Sequence, residues 1–188
     1  MNSYDPCAAN KMINGKQMTV AWHIDNLKVS HKQANEVTGF VNWLKTMCED
    51  KENGIVKATR GKVHECLGMT LDFQKKGAVK IKMLCSVKSM AENFAGKLKE
   101  KVTTPAVEHL LKVNLDCEKL DEQRAKECHC VAARGLHVSQ RSRADVEPTM
   151  AHVCTRVSDP DEDDWKKLCR LMSHLKDMLD SCPTLRAD

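Results

Sequence analysis

Two places in this 188-residue chain combine residue types and spacing that could act on something outside it. The first is Asp25-Asn26, set between the alternating runs Val20-Ala21-Trp22-His23-Ile24 and Leu27-Lys28-Val29. A carboxylate at the tip of a tight hairpin, held by flanking apolar strands, can meet a hard cation at defined geometry. The same pair also serves as an ordinary turn, because Asp and Asn tolerate the backbone that hairpin turns demand. The second is Lys80 and Lys82, which alternate with Val79, Ile81 and Met83. On a strand this puts two ammonium groups on one face and three apolar side chains on the other. Such a face can displace counterions from a phosphate backbone, or it can simply be solvated.

Other clusters carry weaker chemistry. Asp159, Asp161, Glu162, Asp163 and Asp164 lack the glycine and distal glutamate of a calcium loop, and a helix N-terminus accounts for them. Cys128-His129-Cys130 puts two cysteines on different sides of a helix, with no second ligand pair at finger-like spacing. No cysteine has an activating context, and Arg60-Gly61-Lys62 offers one glycine where a phosphate loop needs several.

The elements that must position these residues follow from periodicity. Residues 17–31 predict a β-hairpin turning within His23–Asn26, and an amphipathic helix follows at 33–50, carrying Val37, Phe40, Val41, Leu44, Met47 and Cys48 and stopped at Asn53-Gly54. HECLGMTLDF predicts one strand, QKKG a turn and AVKIKM the return strand. A short helix is expected at 86–98 and a lobe boundary at Thr104-Pro105, followed by helices at 121–139 and 145–157, the latter with Asp145 as N-cap. The final helix is expected to be capped by Asp159 with Pro160 in its first position.

Composition bounds the whole. With 41% hydrophobic and 30% charged residues the chain can build a core, but only seven aromatics are available, so Leu, Val, Met and Cys must fill it. No apolar run is long enough for a membrane span, and the N-terminal residues do not read as a secretory signal. Ten scattered cysteines without a Cys-x-x-Cys pair read as reduced, mostly buried thiols of an intracellular protein, in cytoplasm or nucleus. The net charge of +4 conceals an asymmetry: residues 57–101 hold eleven Lys or Arg against four acids, and the remainder is net negative.

QMTVAWHIDNLKVSH resembles the active-site hairpin of copia-type retrotransposon reverse transcriptases, an aromatic residue, Val or Met and two aspartates followed by an apolar strand. HECLGMTLDF with GAVKIKM is similar to that family's FLGM strand and its return, the primer grip; RSRADVEPTMAHVCTRV to its TRPDI helix; and DEDDWKKLCRLMSHLKDMLDSCPTL to its HW-to-GT segment. The series runs in family order from about residue 4 to 188.

The resemblance implies an α+β fold, part of a right-hand polymerase from a transposable element's Pol polyprotein. Residues 1–100 would be distal palm and 101–188 a helical thumb and connection, with the fingers and upstream palm preceding Met1 and a ribonuclease H domain following. It implies RNA-directed DNA polymerase chemistry with Mg²⁺, a template-primer duplex of RNA and DNA, and dNTP. Asp25 would be the catalytic metal ligand, and Gly68, Met69, Lys80 and Lys82 would contact nucleic acid. Departures from the family point to a degenerate active site. Asn26 stands where a second aspartate is usual and His23 where tyrosine is common; away from that site, Ala144 stands where proline is usual, and His137, Ser139 and Gln140 fall in an ordinarily apolar stretch of a core-facing helix, where each would cost stability unless hydrogen-bonded. The expectation is a fragment inactive by itself. Its rivals are a non-enzymatic nucleic-acid-binding fragment and a decayed chain without function.

Overall fold

Asn14 and Gly15 both adopt left-handed backbone, at φ 50° and 69°. A two-residue hairpin turn requires this if its twist is to match that of its strands. The turn joins β1 (Ala8–Ile13) to β2 (Lys16–His23), and β2 pairs with β3 (Asn26–Ser30) in an antiparallel sheet of order β1-β2-β3. The expected hairpin is therefore present, with a third strand in front of it. That strand was not anticipated, although Asn14-Gly15 between Ile13 and Lys16 is a hairpin signal.

The computed structural model describes residues 2–24, 26–49 and 54–186, and it forms two compact units, Met1–Gly61 and Lys62–Asp188. It is an α+β protein with two antiparallel sheets and five α-helices among those residues.

In the first unit, Val20 pairs with Val29 and Trp22 with Leu27, so these four share one face. Helix α1 (Ala34–Cys48) follows, within the expected 33–50 range. None of its residues is buried: Trp43 is 54% exposed and Met47 68%. A groove of about 450 Å³ runs between Phe40 and Trp43 on one side and Ile13, Met18 and Val20 on the other.

The second unit opens with β4 (Val63–Cys66), β5 (Met69–Asp72) and β6 (Ala78–Lys82). HECLGMTLDF, expected as one strand, is two. Leu67 (φ 53°) and Gly68 (φ 74°) make another left-handed two-residue turn in its middle. A short strand not anticipated from sequence, β7 (Thr184–Arg186), pairs with β6 and completes a sheet of order β4-β5-β6-β7.

Four helices pack beside this sheet: α2 (Leu84–Glu92), α3 (Glu122–Arg141), α4 (Glu147–Arg156) and α5 (Glu162–Asp177). Their shared core holds Met83, Val87, Met90, Val138, Met150, Leu168, Leu171, Met172 and Leu175. Full burial of such side chains contributes about 1.5–3 kcal/mol each. Leu, Met and Val fill the volume that aromatics would occupy elsewhere. Gly135 is what lets α3 approach α4, since a Cβ there would lie 2.1 Å from the methyl of buried Met150.

Helix starts differ from the sequence reading in two places. Asp161, not Asp159, caps α5: its carboxylate accepts from the amides of Asp163 and Asp164, and Asp164 accepts in return from the Asp161 amide. Asp159 instead pairs with Lys119. Asp145 caps nothing. It lies in a 3-10 turn (Ala144–Val146) ahead of α4 and is engaged by Arg143 and His174. The Thr104-Pro105 loop is held to α5 by Arg170, which donates to Thr104 and to the Ala106 carbonyl.

Of the three polar residues expected in an apolar stretch of α3, His137 and Gln140 face solvent and Ser139 turns inward, its hydroxyl donating to the Leu136 carbonyl at 2.9 Å. The polarity expected to weaken this core is thus mostly outside it.

Candidate functional site

The four-stranded sheet sorts its side chains by charge and by hydrophobicity. Cross-strand pairs in an antiparallel ladder share a face, so the register puts Lys80 and Lys82 of β6 with Asp72 and Thr70 of β5. Glu65 of β4 lies opposite Thr70, and Thr184 of β7 lies opposite Lys80. The alternate residues Met69, Leu71, Ile81 and Val79 point to the other face. There Leu71 is buried and Met69 packs against the helical core.

On the polar face Lys80 is exposed and makes no ion pair among the described residues. Lys82 lies 4.0 Å from Asp72, with 41% of its side chain exposed. The Thr70 hydroxyl donates to Glu65 at 2.7 Å. The sheet thus brings Lys80 and Lys82 together, seats Gly68 in the β4–β5 turn and turns Met69 away from both lysines. It also places Arg186 on the lysine face, opposite Ala78. No sequence signal singled out Arg186, because it is more than a hundred residues from β6.

At the other candidate site, His23 pairs with Asn26 and closes a two-residue connection. Ile24, its first residue, sits at φ 52° and is 90% exposed. A β-branched residue in this backbone costs roughly 1–2 kcal/mol, so the turn is held by its strands rather than by local preference. Asp25, expected to hold the metal, lies outside the described residues. The donor set at this tip is one carboxylate and the Asn26 carboxamide, a single negative charge for two divalent cations. That set does not fit a two-Mg²⁺ centre.

The acidic run at 159–164 is committed to structure. Asp164, 4% exposed, accepts from Arg156 Nε at 2.9 Å, while Arg156 also reaches Asp161 at 3.2 Å. Lys167, buried to 2%, donates to Asp163 at 2.9 Å and to the Lys112 carbonyl at 2.6 Å. Glu162 pairs with Arg124, whose guanidinium lies 4.7 Å from the centre of the Trp165 ring.

His152 is buried beside this network. Its Nε2 has no hydrogen-bond partner among the described residues and lies 3.8 Å from Asp164. Burial, aided by Lys167 and Arg156, lowers its pKa below the usual histidine value of 6.5. Below that value the unfolded chain binds a proton that the folded chain does not, so stability falls as pH drops. We expect urea midpoints measured from pH 7.5 to 5 to decline less steeply in His152→Gln than in the parent.

The cysteines correct one expectation. Only Cys128 is buried, while Cys7, Cys48, Cys85 and Cys130 are exposed and the rest half-buried. Too few positions in the core are left for ten thiols once Leu, Met and Val fill it. Burial pushes the Cys128 thiol up to about 11, which keeps it protonated and unreactive.

No family model, curated protein or solved structure matches this chain. Among the described residues no helix is long and apolar enough to cross a membrane.

Proposed function

We propose that this chain is a copia-type reverse-transcriptase fragment, with palm-derived hairpins leading into thumb and connection helices of a right-hand polymerase. It lacks polymerase activity on its own and retains a nucleic-acid-binding face around Lys80 and Lys82. The observation that carries the reading is the series of motif-like stretches standing in family order: QMTVAWHIDNLKVSH, HECLGMTLDF with GAVKIKM, RSRADVEPTMAHVCTRV and DEDDWKKLCRLMSHLKDMLDSCPTL. The elements that carry them support it, because the first falls on the β2–β3 hairpin, the second on β4 to β6, and the last two on α4 and α5.

Loss of chemistry follows from Asn26. Phosphoryl transfer through two metals depends on carboxylates that neutralise and position them, and one missing or misplaced group commonly costs 10²-fold or more. The protein should extend a DNA primer on an RNA template with dNTPs and Mg²⁺ no faster than Asp25→Ala does. Incorporation that Asp25→Ala abolishes refutes the inactive reading.

The non-enzymatic binding role is favoured by Lys80, which is exposed and in no ion pair among the described residues. It predicts micromolar or tighter duplex binding that weakens steeply with salt, and weakens further in Lys80→Ala/Lys82→Ala. The fully buried core of the second unit supports a folded chain over a decayed one, and a melt without a cooperative transition would contradict that.

A further inference from the structure

We infer that Arg186 on β7 joins Lys80 and Lys82 in one anion-binding face whose ligand is the phosphodiester backbone of a nucleic acid; this rests on the nucleic-acid-binding reading above and names a contact beyond it. The β6–β7 register carries the argument. Lys80 lies opposite Thr184 and Ala78 opposite Arg186, so Arg186 is the diagonal neighbour of Lys80 on the same face. Diagonal neighbours sit about 7–8 Å apart at the backbone, within reach of each other's ligands for side chains as long as Lys and Arg. Lys82 continues the row two residues along β6.

The charges on this face are segregated. Glu65 and Asp72 lie on β4 and β5, where Thr70 and Lys82 engage them. The three cations lie on β6 and β7, and Lys80 and Arg186 are both exposed and in no ion pair among the described residues. An approaching polyanion is therefore steered to the β6–β7 half and repelled from the β4–β5 half. A guanidinium there can grip a phosphate with two parallel N–H bonds, which an ammonium cannot do.

A lipid surface fits less well, because the exposed large apolar side chain on this face, Val63, stands on the far strand β4. Without an apolar stripe among the cations, nothing would insert between acyl chains.

The test uses the whole chain and a fluorescent 20-base-pair RNA–DNA duplex, titrated by anisotropy between 50 and 200 mM salt. Arg186→Gln should weaken binding several-fold at 100 mM salt, about 3- to 10-fold, and lower the log–log salt slope by about one unit. Arg186→Lys should recover the slope but only part of the affinity. Lys126→Gln/Arg134→Gln/Arg141→Gln, on the outer side of α3, should bind within twofold of the parent, about the level of a surface change. If Lys80→Ala/Lys82→Ala weakens binding while Arg186→Gln does not, the inference is wrong and the binding reading stands. If neither set weakens binding, both are wrong. If the α3 variant weakens it as much as Arg186→Gln, binding is diffuse and there is no β6–β7 site. If polyglutamate displaces the duplex at equal charge concentration, the ligand class is wrong.

Discussion

Arg143→Met should lower the unfolding free energy of the chain by about 3 kcal/mol, read from urea denaturation near neutral pH, since it removes three hydrogen bonds donated by a buried guanidinium, roughly 1.5–3 kcal/mol each before solvation of the partly exposed Asp145 offsets part of the loss. Arg143 is 2% exposed, and its guanidinium is spent entirely on structure. Nε and one terminal nitrogen donate to the two oxygens of Asp145 at 2.8 and 2.7 Å, and the other donates to the Met178 carbonyl at 2.9 Å. Asp145 in turn meets His174, which also faces the Val102 carbonyl at 3.2 Å. One residue thus ties the α3–α4 connection to the end of α5. Methionine fills similar volume, so the loss reports the polar network rather than a cavity.

Acid adds an independent readout. The hydrogen bond from Arg143, reinforced by His174, holds the Asp145 carboxyl down to about 2, against 3.8 ordinarily. A depressed carboxylate stabilises the fold above its unfolded pKa, and that contribution is lost as pH falls from 3.8 towards 2. With 39% of the Asp145 side chain exposed, solvent screening leaves the ionic part at about 1 kcal/mol. Arg143→Met should therefore show a smaller decline than the parent over that acid range.

How much of this was legible in advance depends on the range of the interaction. The β2–β3 hairpin, α1, α3 and α5 were readable because each is written in a local period and punctuated by local residues. The internal turn at Leu67-Gly68 was missed because Leu seldom takes left-handed backbone, so the apolar run concealed the break. The cap of α5 was misplaced by two residues because Asp159 and Asp161 are chemically equal candidates, and only the reciprocal bond from Asp164 separates them. Of the candidate binding residues, Lys80 and Lys82 were visible as an alternating pair, but nothing nearby showed that Asp72 would engage Lys82. Arg186 was invisible because its place depends on β7 returning to β6, a contact no local pattern encodes. Sequence reveals a functional face in so far as one strand carries it, and hides whatever a distant strand adds.

The network at the start of α5 makes the other large prediction. Asp164→Ala should destabilise the chain by about 3 kcal/mol, combining a lost half of the capping box with a charge-assisted hydrogen bond taken from the half-buried Arg156 guanidinium. Asp164 accepts from the Asp161 amide at 3.2 Å and from Arg156 at 2.9 Å while 4% exposed, so no water can replace it without rearrangement. Asp164→Asn should cost less, because its amide oxygen can still accept from the Asp161 amide although the charge opposite Arg156 is gone. A double-mutant cycle with Arg156→Met separates the two parts, and a coupling near zero would show that the cap alone matters. The cycle also reaches His152. Asp164 is foremost among the groups favouring a proton on that ring, against burial, Lys167 and Arg156. Its removal drives the pKa of His152 further down, so the folded chain refuses the proton over a wider range and the acid-side decline of Asp164→Ala should continue to lower pH than in the parent. If the two pH profiles run parallel, His152 and Asp164 are not coupled across their 3.8 Å gap.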